Sequence, residues 1–137
     1  MDTAAPPAGM ARSVFTADHE IFRTQVRRFF DREIVPHHRD WERAEIVPRE
    51  VWLKAGAEGL LCPMMAEEHG GAGADFGYAA IIIEEIARTN ASGIGFPLHS
   101  DIVVPYVEEF ALPHKKREWL PRMAKGEIIT AIAMTEP

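Results

Sequence analysis

The sequence lacks the features that mark several classes of protein. Cys62 is the only cysteine among 137 residues, which excludes a disulfide framework and a cysteine-based metal cluster. Apolar runs are only a few residues long, as at 78–83, and fall far short of a membrane span. The first residues, MDTAAPPAGMARSVF, contain no apolar core of a secretory signal. We therefore expect a cytoplasmic, soluble protein with no membrane span.

Positive charge is also scarce. The chain has 15 Lys and Arg residues against 21 Asp and Glu residues, which gives a formal net charge of −6. Nucleic acids and anionic membranes are bound by basic faces, so this balance argues against both as main partners. The 47% hydrophobic and 26% charged content is that of an ordinary globular domain, and the length suits one domain with a core.

Helical periodicity dominates what is present. Apolar residues recur at helical spacing, and Pro, Gly and capping residues separate the segments. Thr16 and Asp75 are predicted N-caps, Pro105 a kink or a break, and Gly126 the residue that follows a helix end. The first predicted helix starts after Thr16 and ends before Pro36. The others cover 37–44, 48–57, 76–89, 96–110 and 113–125.

The last ten residues, IITAIAMTEP (128–137), differ from the rest because they predict one short β-strand. A single strand cannot pair its own backbone groups. It must pair with another chain or begin a β-domain. The prediction is an all-α fold, with up to six helices in an orthogonal or up-down bundle and a C-terminal strand that begins a missing β-domain. The predicted parts are a flexible tail (1–14), a helical domain (15–127) and the start of the β-domain (128–137).

The chemistry-bearing groups do not form a catalytic or metal site in the sequence. The glycines at 70, 71 and 73 follow no predicted strand and are interpreted as part of a connection between helices. His99, Ser100 and Asp101 are adjacent on one helix, so their side chains diverge and cannot form a triad. No glutamate stands three residues before a histidine, which argues against a di-iron site. Residues 84–85 are interpreted as a solvated acidic helix edge, and residue 62 as a buried structural thiol.

Five stretches, in order, resemble the N-terminal domain of the acyl-CoA dehydrogenase family. They are VPHHRDWE (35–42), EVWLKAGAEGLLCPMMAEEHGGAGADFGYAAIIIEEIAR (50–88), SGIGFPLHSDIVVPY (92–106), KKREWLPRMAKGE (115–127) and AIAMTEP (131–137). The resemblance covers the chain from about Phe15 onward, and SGIGFPLHS is most similar to the long-chain branch.

This resemblance implies an FAD-dependent enzyme of three parts, usually a homotetramer, that dehydrogenates medium- or long-chain fatty acyl-CoA in β-oxidation. In that family a carboxylate removes the α proton, flavin N5 takes the β hydride, and an electron-transfer flavoprotein reoxidises the flavin. The catalytic base would lie beyond Pro137, so no catalytic residue is expected in this chain, and the chain alone should be inactive.

The resemblance also implies roles for particular residues. Ile132, Met134 and Thr135 would lie against the flavin ring. The candidates for the acyl-chain cavity are Ile94, Gly95, Pro97, Leu98, Asp101 and Ile102. The apolar members of that set could equally form part of the core. The alternative function is a stand-alone helical binding module that pairs its terminal strand with a partner chain.

Overall fold

The computed structural model describes residues 14–136, and within them the chain is helical with no strand. The all-α prediction is confirmed. The predicted tail lies outside the described residues except for Val14, and the strand predicted at 128–137 stays a prediction. The six α-helices are α1 (Ala17–Phe29), α2 (His38–Ala44), α3 (Arg49–Ala57), α4 (Phe76–Thr89), α5 (Val104–Phe110) and α6 (Pro113–Ala124). In the described chain no helix is long and apolar enough to cross a membrane.

Both predicted N-caps are confirmed, and one histidine links them. The Thr16 hydroxyl accepts a hydrogen bond from the His19 amide, and Nδ1 of His19 accepts one from the Thr16 amide at 3.0 Å. The Asp75 carboxylate accepts from the Gly77 amide at 2.7 Å. His19 Nε2 donates to the same Asp75 oxygen at 2.9 Å. The N-termini of α1 and α4 are therefore joined, which fixes how these helices pack together.

Two helices contain wide π-helical turns. One, Phe30–Ile34, continues α1, and the other, Leu98–Val103, leads directly into α5. The helix predicted over 96–110 is therefore continuous, with a π turn before Pro105. Pro105 directly follows this π turn and has no N–H, so one backbone hydrogen bond is missing at this point inside the continuous helix.

The core lies between α1, α3, α4 and α6 and the segments that join them. Aromatic side chains fill its centre, with Phe96 packed edge-on against Phe30 and against Trp52 at centroid distances of 6.4 and 4.8 Å. Leu60, Ile81, Val104 and Leu120 are also buried in this cluster. On α4, Ile81 and Ile82 are buried, whereas the next residue, Ile83, is 40% exposed.

The interpretation of residues 84–85 as a solvated edge is wrong for Glu85, which is only 1% exposed. Its carboxylate accepts hydrogen bonds from Arg27 at 2.7 Å and from Arg88 at 2.5 Å. Burial acts to raise the pKa of Glu85, but hydrogen bonds from both guanidinium groups outweigh it and hold the pKa below its ordinary value. The group remains charged and ties α1 to α4. Glu84 is half-buried and pairs with Arg23.

Candidate functional site

Backbone amides of the loop that follows α3 donate to side chains of the π turn Leu98–Val103 and of α5. The Cys62 amide donates to the Ser100 hydroxyl at 3.0 Å, and the Ala66 amide donates to the Glu108 carboxylate at 3.0 Å. Burial raises the pKa of the Cys62 thiol to about 12. The thiol is therefore protonated at neutral pH, and the prediction of a buried structural cysteine is confirmed.

His99 is fully buried at the centre of this region. Its Nδ1 lies 3.2 Å from the Thr130 amide and 2.8 Å from the Thr130 hydroxyl. Its Nε2 lies 3.1 Å from the Met123 carbonyl oxygen. An amide can only donate and a carbonyl can only accept, so the ring accepts at Nδ1 and carries its proton on Nε2. Burial lowers the pKa of His99 and favours this neutral form.

Asp101, two residues after this histidine, is half-buried, and its Oδ1 is buried. Within residues 14–136 that oxygen has no hydrogen-bond partner. Burial raises the pKa of Asp101 to about 6. The three adjacent polar residues 99–101 thus have separate surroundings, in agreement with the argument that they cannot form a triad. In the same part of the chain, no three His, Cys, Asp or Glu side chains are grouped so that they could hold a metal ion.

The other residues predicted for the acyl-chain cavity differ in exposure. Ile94 is buried in the core, and Gly95 lies against the Trp52 ring, which an added Cβ would meet at 3.8 Å. Pro97 and Leu98 are half-buried, and Ile102 is 45% exposed. Ile94 therefore has the packing of a core residue, whereas Leu98 and Ile102 reach the surface on the π turn.

The segment predicted to lie against a flavin extends away from the helices. Ile128 packs against the core, and beyond Thr130 every described residue is exposed. Ile132 and Met134 are 41% and 77% exposed, and Thr135 is exposed too. The site residues from the two predicted sets are therefore not brought together around one closed cavity by residues 14–136 alone.

Sequence reasoning missed the contacts that anchor this segment. Besides the His99–Thr130 pair, the Arg49 guanidinium donates to the Glu127 carbonyl. The Gly126 backbone lies directly on α3, where an added Cβ would be 2.3 Å from the Trp52 carbonyl oxygen. Of these features only the glycine gave a signal in the sequence, as the residue that follows a helix end.

Comparison with known proteins identifies the domain. The model of the acyl-CoA dehydrogenase N-terminal domain matches residues 16–127. The chain belongs to this acyl-CoA dehydrogenase family. It is 50% identical over 126 residues to the mitochondrial long-chain specific acyl-CoA dehydrogenase of Sus scrofa, which covers 92% of this chain.

Solved structures of acyl-CoA dehydrogenases share the fold. The enzyme from Geobacillus kaustophilus superimposes with a TM-score of 0.86 at 44% identity, covering 91% of this chain and 33% of its own. The Bacillus anthracis acyl-CoA dehydrogenase, a complex with FAD, gives a TM-score of 0.80 at 31% identity, covering 90% of this chain and 22% of its own. The present chain spans 29% of the length of the Sus scrofa relative.

Proposed function

We propose that this chain is the N-terminal helical domain of an FAD-dependent acyl-CoA dehydrogenase that acts on medium- or long-chain fatty acyl-CoA in fatty acid β-oxidation. The observation that carries the proposal is the 50% identity, over 92% of the chain, to a long-chain specific acyl-CoA dehydrogenase. In the complete enzyme, as we propose it, a homotetramer would pass electrons to an electron-transfer flavoprotein.

The exposed terminal segment has groups that suit a flavin. The Met134 side chain is mostly exposed and apolar, and a flexible thioether packs well on an aromatic ring. The hydroxyl of Thr135, also exposed, can donate to a ring nitrogen or carbonyl. FAD would supply the acceptor for the hydride that leaves the acyl chain. The role of these residues, with Ile132, would be to orient the ring and to stabilise charge at its polar edge.

The π turn offers an apolar surface for the acyl chain. Leu98 and Ile102 lie one turn apart on it, half-buried and exposed respectively, and both reach the surface. Gly95 and Pro97 precede them and add little side-chain bulk. We propose that this surface contacts the acyl chain, with Asp101 at its edge and Ile94 supporting it from the core.

The test uses the whole protein encoded by the gene. We expect it to purify with bound FAD, and its flavin absorbance to bleach under anaerobic conditions with octanoyl- or palmitoyl-CoA and less with butyryl-CoA. Bleaching with butyryl-CoA alone would overturn the proposed chain length. A protein that binds neither flavin nor acyl-CoA would overturn the proposed function.

The alternative is a binding module that pairs its terminal strand with a partner, and the exposed residues 131–136 are the feature that keeps it open. Size-exclusion chromatography of the 137-residue chain, with and without residues 131–137, separates the two functions, and this truncation keeps Ile128 and Thr130, which contact the core. The module predicts complexes that disappear on truncation while the helices stay folded. The dehydrogenase domain predicts no such dependence.

A further inference from the structure

We propose that His99 is a positioning residue, which holds Thr130 and thereby sets the path of the flavin-facing segment 131–136. The inference rests on the proposed function for the role of that segment, although the contact itself does not depend on it.

The imidazole is held rigidly by its surroundings. It is completely buried and packs edge-on against the Trp52 ring, with the centroids 5.5 Å apart and the planes at 80°. Because a ring in such a site cannot rotate freely, the directions of its two nitrogen atoms are fixed by the core. A group bonded to either nitrogen is consequently placed relative to α3.

The two nitrogens bind opposite sides of the turn at Gly126. Nε2 donates to the Met123 carbonyl in the last turn of α6, and Nδ1 accepts from the amide and the hydroxyl of Thr130 beyond the turn. The imidazole therefore bridges the end of α6 and the start of the exposed segment. The Met123 carbonyl and the Thr130 amide are backbone groups, so these two bonds constrain the path of the chain and not just a side chain.

Thr130 is the last anchored point on the segment. Among the described residues, Thr130 is the last along the chain that makes a hydrogen bond, and its partner is His99. Residues 131–136, which follow it, are all exposed. A shift at Thr130 would therefore be carried directly to Met134 and Thr135. Since productive geometry must be held within about 0.5 Å, a small change in this anchor should affect a bound flavin.

A catalytic role with the neighbouring thiol does not fit the geometry. Cys62 Sγ lies 3.7 Å from Nε2, but that nitrogen directs its proton to the Met123 carbonyl at 3.1 Å. Burial keeps the pKa of the thiol near 12, so no thiolate is formed at neutral pH. The imidazole is accordingly assigned to positioning.

Two substitutions separate this role from simple packing. His99→Asn keeps an acceptor near the place of Nδ1, whereas His99→Gln keeps a donor near the place of Nε2; both are neutral and smaller than histidine. In the 137-residue chain, amide hydrogen exchange at Thr130, followed by NMR, should accelerate about tenfold in the Gln variant. The Asn variant should remain close to wild type. Equal rates in all three proteins would overturn the inference.

The same variants are then compared in the whole protein through the visible spectrum of bound flavin and its affinity. We expect the Gln variant to shift the spectrum and weaken FAD binding by about tenfold, and the Asn variant to restore both, since one lost hydrogen bond has about this effect. Faster exchange at Thr130 with an unchanged flavin would overturn the positioning role.

The outcomes remain separable from failure of the proposed function. If the wild-type protein holds no flavin, that function fails, while the exchange rates still decide whether His99 anchors Thr130. If substitutions at His99 prevent folding, Thr130→Val and Thr130→Ser replace them. The Val variant keeps the amide bond to Nδ1 (3.2 Å) but loses the shorter hydroxyl contact (2.8 Å), so it should show smaller exchange and flavin changes of the same kind. The Ser variant should stay close to wild type, and identical behaviour of the two would overturn the inference.

Discussion

Replacing Asp101 by asparagine should stabilise the chain at neutral pH and change its stability little at acidic pH. The wild-type carboxyl has a buried oxygen with no hydrogen-bond partner in residues 14–136, and burial raises its pKa from 3.8 to about 6. Ionisation is therefore more costly in the folded than in the unfolded chain. Asparagine has nearly the same shape and carries no charge at either pH.

The magnitude follows from the pKa. One pKa unit corresponds to about 1.4 kcal/mol, so ionised Asp101 costs the folded state up to about 3 kcal/mol relative to its protonated form. Its partial exposure reduces this to an expected value of about 2 kcal/mol. A raised carboxyl pKa means that the folded state binds the proton more tightly. Stability is therefore highest below the unfolded pKa of 3.8 and falls until the pH passes about 6.

The assay is urea unfolding of both proteins near pH 4 and near pH 7.5, followed by tryptophan fluorescence, which includes the signal of the buried Trp52. The free energy of unfolding of the wild type is subtracted from that of the variant at each pH, which removes the contributions of all other titrating groups. This difference should be about 2 kcal/mol larger near pH 7.5 than near pH 4. The control is Asp40→Asn, at a side chain that is 72% exposed. For this variant the difference in unfolding free energy should change by less than about 0.5 kcal/mol between the two pH values. A pH-independent difference for Asp101 would refute the reasoning.

Three further predictions concern packing, charge and reactivity. Gly126→Ala should lower the free energy of unfolding by about 3 kcal/mol, because φ is +73° and the new Cβ would meet the Trp52 carbonyl oxygen at 2.3 Å. Gly59→Ala, where φ is +71° but the surrounding space is open, should lower it by about 1 kcal/mol. Equal losses in urea unfolding would contradict this. Glu85→Gln should lower the free energy of unfolding by about 2 kcal/mol and Glu84→Gln by less than about 1 kcal/mol, since only Glu85 is fully buried. A larger loss for Glu84→Gln in thermal unfolding would be inconsistent with the structure. Cys62 should react with Ellman's reagent only as the chain unfolds, so rapid labelling of the native protein would disprove its burial.

The helices could be predicted because their signals are local. Thr16 and Asp75 cap helices next to them in the sequence, and Phe76–Thr89 has the bounds that its apolar pattern predicts. The π turn over Leu98–Val103 could not be predicted in this way, since a wide turn differs little from an α-helical turn in a pattern of six residues. The presence of Pro105 indicated only that the helix must be altered nearby.

The site was less predictable because its contacts are distant in the sequence. Glu85 follows a charged neighbour and gives no sign of burial until Arg27, 58 residues away, is packed against it. His99 likewise finds Thr130 at a separation of 31 residues, in a segment that local pattern assigns to a strand. The resemblance to acyl-CoA dehydrogenases indicated which segments to expect beside a flavin and an acyl chain, but it could not indicate which core residue holds them.

The composition of the core has a consequence for biosynthesis. The packed cluster draws its side chains from residues between Phe15 and Ile128, and none of the exposed residues 131–136 belongs to it. In a polypeptide as long as the relatives of this chain, the helical unit has all of its buried side chains as soon as Ile128 leaves the ribosome. It can therefore fold during translation, before any later domain exists. The exposed apolar residues that follow, Ile132 and Met134, would then wait unprotected until the rest of the protein is made, and this interval is when a nascent chain is most prone to aggregation.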